Sequence, residues 1–167
     1  MTGDALEYHY GWIMTPAELQ QLLLAHLPAV EGVESAAAWA ERPYGLVVTV
    51  ANAGAVYWMV SGASGVAPAA GPHEQLPPQP RPDLGGGGKV ATAQVELALL
   101  AALAAGDTAG QVVRTDRYSE RPVPPAVGYG ITVDCADTWR LFVACIGTAR
   151  RNEDLRSSRY FKPDDDV

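Results

Sequence analysis

Two stretches 79 residues apart constrain this chain most: Trp39-Ala40-Glu41-Arg42-Pro43 and Tyr118-Ser119-Glu120-Arg121-Pro122 each place an aromatic and then Glu-Arg-Pro between a helical pattern and a hairpin pattern. The helices before them match at an offset of 78, Glu18-Leu19 and Leu22 against Glu96-Leu97 and Leu100. The strands after them match at 83, with Gly45, Thr49-Val50 and Val60 against Gly128, Thr132-Val133 and Val143. Val123 to Val127 accommodates the added residues as a loop insertion. Offsets that grow in order along the chain are what duplication followed by loop drift produces, so two (β)αβββ units are expected over 7–63 and 88–148.

The first unit is the more explicit. Glu7 to Met14 reads as a short aromatic strand. Thr15-Pro16-Ala17-Glu18 supplies an N-cap, a proline at N1 and a glutamate at N3, a complete capping box. Leu19, Leu22, Leu23 and Leu27 then share one helical face until Pro28 ends the helix. Strands are predicted over 33–40, 44–51 and 55–61, with Asn52-Ala53-Gly54 providing the positive-φ tolerance of a tight hairpin.

Between the units, 64–87 is rich in proline and ends in Gly85 to Gly88, a composition that reads as a surface linker. Units of about 60 residues are marginal alone, so residues 1–148 are expected to form one pseudo-symmetric domain with a shared core. Val56, Trp58 and Val60 alternate with Tyr57 and Met59, and Leu141 and Val143 alternate with Phe142 and Ala144, so the strands are apolar on both faces. One face is expected on the helices. The other must meet its pseudo-symmetric mate, a second subunit or a ligand. The fold class is therefore α+β: two helices packed on largely antiparallel sheet.

A formal net charge of −7 disfavours nucleic acid and anionic membranes as partners. The opening residues lack a basic and apolar leader pattern, and Val95 to Ala105 is too short to span a bilayer, so a cytoplasmic location is expected. Cys135 sits near a hairpin turn and Cys145 towards the far end of the returning strand, which predicts two free thiols.

No catalytic constellation is visible. Gly85 to Lys89 is not a phosphate loop, because Asp83 stands where the first glycine belongs and Val90 replaces the Ser/Thr that holds magnesium. His9, His26 and His73 show no metal-ligand spacing. The paired βαβββ order resembles that of the vicinal-oxygen-chelate proteins, whose metal sites take His from a first strand and Glu from a last one. Of those ligands only His9 has a counterpart here, since 55–61 and 138–146 contain neither Glu nor His. No cofactor or metal is expected.

The candidate binding residues are Arg42 and Arg121, which pseudo-symmetry would bring to one cleft as two guanidinium forks, with His9 nearby and Arg114, Asp116 and Tyr118 extending the surface. Residues 149–167 change character and read as a C-terminal arm or tail, in which Tyr160 and Phe161 would anchor on a partner or neighbouring subunit. The expected function is that of a non-enzymatic binding or assembly protein acting through its sheet surface and arm, by self-association or on another protein. An accessory or structural component of a phage or mobile element is compatible with this. The alternative is a small-molecule binding protein or enzyme holding an anionic ligand in the cleft between the halves.

Overall fold

A computed structural model describes residues 14–67, 79–85, 88–151, 153 and 167. The predicted first strand lies outside these, apart from Met14, which is not in a strand. The first helix, α1 (Pro16–His26), starts as its capping box requires. The Thr15 hydroxyl accepts the Glu18 N–H, and the Glu18 carboxylate accepts the Thr15 N–H, both at 3.3 Å. Pro28 falls in a 3-10 turn (Leu27–Ala29) that ends the helix, and Leu19, Leu23 and Leu27 are fully buried. Three strands follow: β1 (Val33–Trp39), β2 (Gly45–Val50) and β3 (Ala55–Ala63). Asn52 takes the left-handed conformation at the β2–β3 turn, with φ 59°.

The second helix, α2 (Thr92–Gly106), has no side-chain cap and is buried almost all round. It precedes β4 (Val112–Arg117), a 3-10 turn (Tyr118–Glu120), β5 (Gly130–Cys135) and β6 (Arg140–Ala149). The six strands form one antiparallel sheet in the order β1-β2-β3-β6-β5-β4. Each half thus contributes a helix and three strands, and the halves meet edge to edge where β3 pairs with β6. Among the described residues neither half covers the other's sheet.

Both helices pack on one side of this sheet. Leu46, Val48, Val56, Trp58, Ile131 and Val143 point to that side, all at most 1% exposed or fully buried, and a single apolar cluster spans both halves. Cys135 and Cys145 are buried free thiols whose pKa burial pushes up to about 12, so neither is poised as a nucleophile.

Hydrogen-bond register refines the match between the halves. Both edge strands carry a bulge at the same place, between Val33 and Ser35 in β1 and between Val112 and Arg114 in β4, again 79 residues apart. In the inner strands Val50 bonds Gly54 as Cys135 bonds Trp139, an offset of 85 rather than the 83 read from Thr-Val matches. Gly45 accordingly corresponds to Gly130, not Gly128, and each opens its strand against the corner aromatic. A Cβ on Gly130 would stand 2.5 Å from the Val143 carbonyl oxygen and 2.6 Å from the Tyr118 ring; one on Gly45 would strike the Trp39 carbonyl.

The described ends of the 64–87 segment are docked. The N–H groups of Val66 and Ala67 both donate to the Thr138 carbonyl, Ala67 is buried, and Leu84 is buried under Gly32. Val167 is also docked, exchanging two backbone hydrogen bonds with Val90 at 2.8 and 2.9 Å. Among the described residues no helix is long and apolar enough to cross a membrane.

Candidate functional site

Among the described residues both helices lie on one side of the sheet, and none lies over the opposite face. Pleat alternation decides which residues it presents: Trp39, Val47, Tyr57, Met59 and Phe142 from β1, β2, β3 and β6, and Thr132, Asp134, Arg114 and Asp116 from β5 and β4. The first group is apolar and half-buried. Trp39 and Tyr57 meet edge to face, with ring centroids 5.0 Å apart, and the Arg42 guanidinium lies 5.6 Å from the Trp39 ring centroid.

The second group is a lattice of charge. Arg140 grips Asp134 with both Nε (2.6 Å) and Nη2 (3.0 Å), and Arg114 stands 3.8 Å from the same carboxylate. The Asp134 side chain is only 4% exposed, while that of Arg114 is 65% exposed. Arg121 pairs with Asp116, donates to the Thr132 hydroxyl at 3.1 Å and lies 4.4 Å from the Tyr118 ring centroid. Three arginines here face two aspartates, so this part of the face is locally positive on a chain whose net charge is −7.

The corner that carries Arg121 is fastened from beneath. Glu96 of α2 is fully buried and accepts from the Gly130 N–H (2.8 Å), the Ser119 N–H (3.2 Å), the Ser119 hydroxyl (2.5 Å) and Arg117 Nε (3.3 Å). Burial raises its pKa above the ordinary 4.5, outweighing the Ser119 hydroxyl, the two N–H groups and Arg117, all of which favour the anion. With every contact inside the fold, Glu96 is a clamp between helix and loop.

Arg42 and Arg121 are not brought together. They occupy the β1–β2 and β4–β5 corners, towards opposite edges of a six-stranded sheet and about 19 Å apart by strand spacing alone. Arg121 does meet Asp116 and Tyr118, and Arg114 joins the adjoining Asp134–Arg140 pair. His9, Tyr160 and Phe161 lie outside the described residues. Sequence reading missed Asp134 and Arg140. Their signal was an aspartate and an arginine on either side of one tight turn, which antiparallel pairing places opposite each other.

A groove of about 570 Å³ lies on the helix layer, lined by residues that include Met14, Glu18, Leu22, His26 and Asp107. Asp107 spends both carboxylate oxygens on the N–H groups of Gln111 and Val112, at 2.8 Å each. Among the described residues no three His, Cys, Asp or Glu side chains group as a metal site. In comparisons with known proteins, no family model, curated protein or solved structure matches the chain.

Proposed function

We propose that this is a non-enzymatic binding or assembly protein whose outer sheet face receives an apolar, acid-bearing surface of another protein. The face that neither described helix covers carries the reading. It combines half-buried aromatics around Trp39 and Tyr57 with a locally positive arginine lattice, the composition of an interface core beside a charged rim. An anionic ligand held jointly by Arg42 and Arg121 is disfavoured by their separation, and among the described residues no arginine lines the helix-layer groove.

The test is selection from a random peptide library on the intact protein. Peptides that pair aromatic or aliphatic residues with Asp or Glu are expected, with binding weakened more than about tenfold by Tyr57→Glu. Enrichment indifferent to Tyr57→Glu, or competed by a block in the helix-layer groove, would refute the outer-face reading.

The same reading includes descent of both halves from one αβββ unit. Its supports are the palindromic strand order, the bulges at matching register, and an arginine laid over the aromatic three residues before it at both corners.

A further inference from the structure

The three arginines of the outer face differ in how much of their bonding capacity is spent. Arg140 commits Nε and Nη2 to Asp134, and Arg121 commits its guanidinium to Asp116, the Thr132 hydroxyl and the Tyr118 ring. Arg114 has, among the described residues, only the Asp134 carboxylate, and that at 3.8 Å, beyond hydrogen-bond range. Arg140 thus answers Asp134, Arg121 answers Asp116, and Arg114 is left as the surplus cation, its side chain 65% exposed. Other acids near this part of the sheet are turned elsewhere. Asp107 bonds the Gln111 and Val112 N–H groups, Asp137 bonds those of Met14 and Trp139, and Glu96 and Glu120 pair with Arg117.

The β4 bulge aims this cation. It sets Val112 against Cys135 and then Arg114, rather than Val113, against Asp134, which turns Arg114 to the outer face. The bulge in β1 sets Ser35 against Thr49 at the equivalent register, so there it presents no cation. We infer, resting on the outer-face reading above, that Arg114 is the specificity-determining contact and takes a carboxylate of the bound protein segment. An aromatic or aliphatic side chain of that segment sits on Phe142 beside Met59, which are diagonal neighbours on this face. Asp116 is opposite Thr132, and Thr132 is opposite Phe142. Phe142 therefore lies two strands across and two residues along from Arg114, about 12 Å between Cα positions. An extended chain covers that distance in about three to four residues. The segment recognised by this face carries Asp or Glu at that spacing from its apolar anchor.

The test is to run the random peptide selection on the full-length wild type and on Arg114→Gln. The wild type is expected to enrich Asp or Glu about three or four residues from an aromatic or aliphatic residue, and Arg114→Gln to keep the apolar residue and lose the spaced acid. For one selected peptide, changing its acid to the amide and Arg114→Gln should each weaken binding about three- to fivefold, and both together no more than either alone. Urea unfolding of Arg114→Gln should match the wild type, which separates lost recognition from lost fold. An acid enriched without fixed spacing, an acid preference that persists in Arg114→Gln, or two losses that add would each overturn the inference. In those cases the outer-face reading still stands if Tyr57→Glu weakens the peptides. Binding indifferent to Tyr57→Glu removes that reading, and this one with it.

Discussion

Glu18 and Glu96 stand one residue before matching leucines in the two helices, yet they do different work. Glu18 closes a capping box at the partly exposed start of α1. Glu96 sits fully buried in α2, where it receives two backbone N–H groups, a serine hydroxyl and an arginine. The neighbouring corners diverge in the same sense. The first is an exposed turn with Arg42 resting on Trp39, and the second is tied by Glu96, Arg117 and Arg121 into the body of the protein. The difference shows how one architecture divides labour. The second half is built around buried charge, whereas the first presents Trp39, Val47, Tyr57 and Met59 on its outer face.

The largest effect should come from cutting that clamp. Glu96→Ala takes the acceptor from the Gly130 and Ser119 N–H groups and leaves Arg117 with Glu120 as its remaining carboxylate partner, and is expected to cost about 3–5 kcal/mol by urea unfolding. Glu18→Ala removes one exposed half of a capping box and should cost about 0.5–1 kcal/mol. Similar losses at the two sites would mean the halves are fastened alike. The sign of the pH dependence is a further check. A carboxyl whose folded pKa is raised contributes stability that is present below its unfolded value, and that contribution is lost as pH rises through the folded value. Relative to Glu96→Gln, the wild type should therefore lose stability as pH rises from about 4.5 through the raised folded value. A wild type that instead gains on the variant over that window would show that the four contacts outweigh burial.

Much of the first half was legible because its signals are local. Thr15-Pro16-Ala17-Glu18 and Asn52-Ala53-Gly54 specify a cap and a turn from adjacent residues, and both form as read. The six-stranded sheet was not legible, since alternation reports that two faces are apolar but not that β3 will pair with β6. The strand offset was misread because Thr-Val recurs by composition, whereas register is counted from the hairpin turn. Glu96 carried a signal that went unused. Val95, Leu97, Ala98, Leu99 and Leu100 surround it, and a carboxylate in a helix apolar all round must find donors within the protein.

The hairpin turns give the next effect, of opposite sign. Asn52 and Thr138 both adopt positive φ, 59° and 70°, but only asparagine tolerates it readily. Thr138 is held there while its carbonyl accepts the Val66 and Ala67 N–H groups, backbone contacts that a substitution keeps. Thr138→Gly is expected to raise stability by about 1 kcal/mol, and Asn52→Gly to change it by no more than a few tenths. Equal responses in thermal or urea unfolding would remove this distinction between the hairpins.

The corners supply the smallest contrast and the finest test of it. Arg121 lies 4.4 Å from the Tyr118 ring centroid, pairs with Asp116 and bonds Thr132, whereas Arg42 lies 5.6 Å from the Trp39 ring centroid and, among the described residues, bonds only a neighbouring carbonyl. Arg121 and Asp116 are both substantially exposed, so solvent discounts their ion pair, and Arg121→Ala should cost only about 1 kcal/mol. Arg42→Ala should cost about 0.3 kcal/mol, near the limit of measurement. Both corners stack an arginine on an aromatic, but the two stacks need not bear the same load. If Arg42→Ala proves the costlier, the second corner is not the more tightly held of the two.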